Sequence, residues 1–220
     1  MTDLAAGTAP EQRPTLRGVL HAVAFVVSCV VGILFVAAAP DARGFAAAAF
    51  AVSASLMLGT SALYHRVRWS PNRRLWMRRA DHAGVFLLIA GTYTPVALVS
   101  LHGAWRSSVL AVVWSGAGVA TLTKMCWVRS PKWLSAAIGI LLGWVGVVAL
   151  PQLARSEGLA PVILLAAGGI AYTIGAVVYV RRRPDPLPRV FGYHELFHAL
   201  TIVALACQYV AIAIFVVGVD

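Results

Sequence analysis

Acidic residues are scarce in this chain, which has eight Asp and Glu among 220 residues against 18 Lys and Arg. Charge of either sign is sparse, at 12% of the residues, while 60% are hydrophobic. A soluble domain of this length carries about twice that charged fraction to cover its surface, so a soluble class is excluded. Cysteine is scarce as well. Cys29 and Cys207 fall inside apolar runs, Cys126 lies near the end of one, and none has a CxxC partner. Neither a disulfide framework nor a thiolate metal site is indicated. The apolar runs do not alternate in polarity as barrel strands do. No internal repeat is evident, and the alanine run at 46–49 reads as a good helix start.

What is present is a series of seven apolar runs, at 18–39, 45–65, 82–101, 107–126, 134–151, 161–180 and 194–217. Each approaches the ~20 residues that a membrane-spanning helix needs, and a helix satisfies its own backbone hydrogen bonds in lipid. The expectation is an all-α protein, one seven-helix transmembrane domain over 18–217 preceded by a disordered cytoplasmic tail at 1–17. The first run is too long for a signal-peptide core and is expected to remain as a span. Fifteen basic residues fall on the side that holds Arg13 and Arg17, and only Arg43, Arg106 and Arg155 on the other. The positive-inside rule therefore predicts a cytoplasmic N-terminus and, with seven spans, an external C-terminus. Trp69, Trp76, Trp127 and Trp133 on one side, and Trp105 on the other, are expected in interfacial belts. The net charge of +10 reads as loop charge that sets orientation, so no nucleic-acid partner is expected. The arginines of the 66–79 loop also suit anionic lipid headgroups, though orientation alone accounts for them.

Small residues punctuate the spans. Gly139 and Gly143 form a GxxxG pattern, and Gly168, Gly169 and Gly175 mark the sixth span, where close helix packing is expected. Pro95, ending Gly91-Thr92-Tyr93-Thr94-Pro95, removes a backbone donor and is expected to kink the third span, either for packing or to open a cavity.

Ionisable groups in spans are costly and tend to be functional. His65 ends the second run, Asp81 opens the third, and His194, Glu195 and His198 open the seventh. The predicted topology puts all five at one depth, on the inner face of the membrane. His194 and His198 are four apart, so on a helix their imidazoles share a face. Together with His65 they offer three nitrogen ligands, with a fourth position left to water, as in a catalytic zinc site. Asp81 is expected to orient or deprotonate the water there, or to act as a helix N-cap. Ser61, one turn deeper than His65, is expected to hydrogen-bond Asp81 or a reacting carbonyl. His82 is expected to point away from the face of Asp81, and His21 and His102 are left outside the site. His194-Glu195-Leu196-Phe197-His198 also has the H-E-x-x-H form in which a glutamate serves as the general base of a metalloprotease.

Four segments together carry a resemblance: Ser61-Ala62-Leu63-Tyr64-His65, Arg79-Ala80-Asp81-His82-Ala83-Gly84, Ala90-Gly91-Thr92-Tyr93-Thr94-Pro95 and His194-Glu195-Leu196-Phe197-His198. The chain resembles the bacterial hemolysin III proteins, grouped with the progestin and adipoQ receptors and, more widely, with the alkaline ceramidases. The resemblance implies a seven-helix multi-pass protein of the cell membrane, with Zn2+ held by His65, His194 and His198 and with Asp81 and Ser61 beside the water. It implies hydrolysis of a lipid amide, with membrane lipids as partners, and the histidine, aspartate and serine set read above extends the expectation to a lipid amide or ester. The alternative is a protein without catalysis, either a cytolysin or a regulator of membrane homeostasis with structural zinc.

Overall fold

In a computed structural model, residues 14–218 are described. The first thirteen residues of the expected tail lie outside them. The remaining tail residues form a turn, in which the Thr15 and Leu16 amides donate to the carbonyls of Arg189 and Val190 at 3.0 and 3.2 Å.

Among the described residues, seven helical segments are long and apolar enough to cross a membrane. They comprise α1 (Val19–Ala38), α2 (Asp41–Arg66), α3 (Pro71–Pro95) with a π-helical turn at Val96–Ser100, α4 (Gly103–Cys126), a broken fifth span, α7 (Leu159–Arg181) and α8 (Tyr193–Val216). The fifth span consists of α5 (Lys132–Trp144), a 3-10 stretch at Val145–Ala149 and α6 (Leu150–Glu157). Among the described residues the only β-type pairing is an isolated bridge between Leu187 and Phe191. The all-α, seven-span expectation is borne out.

The third span departs most from the sequence reading. Hydropathy places its start at residue 82, whereas α3 begins at Pro71. Pro at the first helical position is preorganised for a helix and lacks only an N–H that would be orphaned anyway. The basic run from Arg73 to Arg79 is thus an amphipathic extension of the span that a hydropathy window does not see. Asp81 consequently lies inside the helix and is not its N-cap.

The outer surface is apolar, with Ile33 71% and Leu141 72% exposed. Such exposure suits lipid and would be a liability in water. Trp76, Trp105, Trp127 and Trp133 are likewise exposed, as belt residues must be. The interior holds Phe50, Leu58, Leu205, Ile212 and Phe215, gathered from α2 and α8. Lipid provides no hydrophobic drive between helices, so close backbone approach matters here. Gly175 is one such contact, since a Cβ there would lie 3.2 Å from Phe197 Cδ2 on α8. Gly139 and Gly143 are not packing contacts. A Cβ on either would meet nothing within 4 Å, and both line an internal cavity. The GxxxG expectation is corrected accordingly, because sequence spacing does not say which way a helix face turns.

Beyond Pro95 the α-helical pattern gives way to the π turn. Tyr93, just before it, supports the break in the fifth span: its hydroxyl donates to the Gly143 carbonyl at 2.6 Å and accepts from the Gly146 N–H at 2.8 Å. Backbone groups left open by the 3-10 stretch are thereby satisfied away from water.

Gly91 marks the tightest approach of α3 to α2. An added Cβ would overlap the Ser53 side chain and come within 3.1 Å of the Ala49 carbonyl. Gly91→Ala should therefore cost about 1–3 kcal/mol by overpacking and lower the melting temperature in detergent. Gly44→Ala, where a Cβ meets nothing within 4 Å, should leave it unchanged or slightly raised.

Candidate metal centre

Two helices bring their polar ends together. His65 lies in the last turn of α2, and His194 and His198 lie in the first two turns of α8. Their rings form a triangle, with centroids 4.7 Å apart for His65–His194, 5.2 Å for His65–His198 and 4.5 Å for His194–His198. One nitrogen from each lies within 4.8 Å of the others. The Nε2 atoms of His65 and His194 are 3.2 Å apart. Two ligands of one tetrahedral zinc, each at ~2.0–2.1 Å from the ion, sit about 3.3 Å apart. The donor set therefore fits a metal ion of the imidazole-binding kind, with the third nitrogen somewhat more open than in a closed site.

The start of α8 is fixed by its capping. Glu195 Oε2 accepts the Gly192 N–H at 2.9 Å, and Asp185 Oδ1 accepts the Tyr193 N–H at 2.7 Å. A Cβ at Gly192 would fall 2.6 Å from that Asp185 oxygen, so a larger residue there would displace the carboxylate that caps α8. The other Glu195 oxygen is ion-paired with Arg17 Nε. Glu195 is fully buried, and its carboxylate is committed to the helix cap and to Arg17. It is thus not available as the general base that the H-E-x-x-H protease reading requires.

Asp81 on α3 and Ser61 on α2 face the same cavity as the histidines. Ser61 hydrogen-bonds Asp81, and Arg78 sits within electrostatic reach of the same carboxylate. Ser61 Oγ is also 2.8 Å from His21 Nδ1. With the serine proton given to Asp81, His21 Nδ1–H donates to the serine oxygen, and the His21 tautomer follows from that arrangement. The His21 ring stacks on His198, with centroids 3.8 Å apart and planes 11° apart.

His21 is the residue that sequence reasoning missed. It is buried at 2% exposure and links a candidate ligand to Ser61. The signal was present, since His21 is the third residue of the first span and enters from the end at which the second span leaves. His82 is a second correction. It lines the cavity beside Asp81, because the wall covers more than the ~100° that separates successive helix residues. His102 lies outside the cavity lining, as expected. The cavity, of about 590 Å³, therefore collects five of the six histidines and continues past Thr92 and Val96 to Leu101 and Leu153. That volume lies in the range of small-molecule sites.

Removing one member of a buried ion pair strands the other, at a cost of about 3–5 kcal/mol. Arg17→Ala should therefore lower thermal stability strongly, and adding Glu195→Gln in the same chain should recover part of the loss. Melting curves of the single and double variants check this.

Comparison with known proteins gives the following. A family model described as Haemolysin-III related matches residues 10–209. Hemolysin-3 of Bacillus cereus is 30% identical over 76% of this chain and 73% of its own. The Hemolysin-3 homolog of Bacillus subtilis is 28% identical over 77% and 76%. The heptahelical transmembrane protein ADIPOR2 of Oryza sativa subsp. japonica is 32% identical over 74% and 78%.

Proposed function

Because the chain belongs to the haemolysin-III related family, a family of multi-pass membrane proteins, we propose that it is a zinc-dependent hydrolase of the cell membrane, cleaving a lipid amide or ester. The observation that carries this reading is the meeting of three imidazoles, a carboxylate and a hydroxyl at one end of a largely apolar cavity.

His65, His194 and His198 would hold the zinc ion. Bound there, zinc supplies Lewis acidity, polarising a carbonyl and making water a better nucleophile near neutral pH. Asp81 holds the attacking water by accepting its proton, then passes that proton to the leaving amine or alcohol. Ser61 donates to Asp81 and keeps one carboxylate oxygen turned towards the water. His21 holds Ser61 from behind and supports the His198 ring by stacking. The apolar walls at Leu88, Val96, Leu101 and Leu153 admit an acyl chain and exclude bulk water. The histidine end is assigned to the cytoplasmic side from the distribution of Lys and Arg.

The test is turnover of a fluorescent N-acyl lipid amide by the purified chain in mild detergent. Asp81→Ala should lower the rate by about 100-fold or more, the usual worth of a positioned general base. Ser61→Ala should lower it by about fivefold to tenfold, the worth of one hydrogen bond. Cleavage that survives replacement of all three ligand histidines by alanine would overturn the proposal.

A further inference from the structure

The cavity wall beside Asp81 carries an excess of positive charge that the hydrolytic reading does not use. Arg78, Lys124, Lys132 and Arg182 line the cavity, and the one carboxylate lining it is Asp81. Among the described residues, the other acidic side chains at this end are committed, Glu195 to Arg17 and Asp185 to the α8 amide. Lys124 is the most telling group. It sits in the last turn of α4, is 3% exposed, and gives one N–H to the Ser130 hydroxyl. An ammonium has three donors, and a buried cation without a counter-charge is costly. His82 lies within electrostatic reach of Lys124, Arg78 and Lys132, and its buried Nδ1 has no hydrogen-bond partner. Ser135, on the same wall, has a buried hydroxyl that is likewise unpartnered. Lys132 is held over the rings of Tyr179 and Tyr193, at 4.5 and 5.4 Å from their centroids, which fixes its charge on the cavity wall.

We propose that Lys124, Arg78, Lys132 and His82 form a binding site for a phosphate group in the wall of the cavity, beside Asp81. Three cations within electrostatic reach of the His82 ring, with the Ser130 hydroxyl at Lys124, match an anion with several acceptor oxygens. One carboxylate there would leave the remaining donors unmatched. The site adjoins Asp81 in sequence and shares its cavity, while the rest of that cavity is apolar. A lipid with a phosphate-bearing headgroup fills both parts at once, with its headgroup at Lys124 and its chains towards Leu101 and Leu153. This deepens the hydrolase reading by naming the headgroup class of the substrate, and for that role it rests on that reading. The anion site itself depends on binding alone.

The test is calorimetric titration of the purified full chain in neutral detergent with three probes: dioctanoyl phosphatidic acid, dioctanoylglycerol and inorganic phosphate. The phosphorylated lipid should bind at least about tenfold more tightly than dioctanoylglycerol, a margin of about 1.4 kcal/mol. Lys124→Met should remove most of that margin without changing the affinity for dioctanoylglycerol, and Lys124→Arg should restore it. Inorganic phosphate that binds by itself, and more weakly to Lys124→Met, supports the site and identifies a free anion as its occupant. Equal affinity for the two lipids in the wild type overturns the proposal, and that comparison needs no variant to fold. A margin that Lys124→Met leaves intact overturns it as well. Failure of the hydrolase reading would show separately, as absent turnover with the lipid preference preserved.

Discussion

In lipid a polar group finds a partner within the protein or pays the full cost of desolvation. That constraint organises this molecule. The middle of the bundle is largely apolar, its scattered hydroxyls bonded mostly to nearby carbonyls, as Thr94 bonds to Ala90 at 2.9 Å. Most of the buried ionisable groups gather at one end, where α1, α2, α3 and α8 each contribute one or more of them. There the Arg17–Glu195 pair and the stacking of His21 on His198 tie the entry to the first span to the last helix, and the His21–Ser61 contact ties the first span to α2. The histidine cluster is therefore built on a frame that closes only when the first and last spans are both in place.

The cavity follows from the same economy. The fifth span packs with an interrupted helix, and its Gly139 and Gly143 leave space that a Cβ would occupy. Tyr93 satisfies the backbone at the interruption, so the opening carries little hydrogen-bonding penalty. A polar end and an apolar body within one cavity form an amphipathic space, complementary to an amphipathic molecule.

Much of this was legible in the sequence. Seven spans stand out because the charged fraction is so low, and His65, Asp81, His194 and His198 stand out because ionisable residues in spans are rare. What hydropathy cannot give is the direction of a helix face or the extent of an amphipathic helix. Hydropathy therefore starts α3 eleven residues late, after the basic stretch from Pro71 to Asp81, assigns the glycines of α5 to packing and turns His82 away from the cavity. His21 was set aside as a terminal histidine, although its position at the start of the first span matched the depth of the others. The Arg17–Glu195 pair joins residues 178 apart in sequence, and no local pattern announces such a contact.

The central claim is that His65, His194 and His198 act as one metal site. The most direct test is the metal content of the purified chain by inductively coupled plasma mass spectrometry, beside the triple alanine variant at those positions. The account predicts about one zinc per chain in the wild type and a loss of zinc in a variant that still folds as a helical bundle. A well-folded wild type that binds no metal after incubation with zinc, or a triple variant that keeps its zinc, would contradict it.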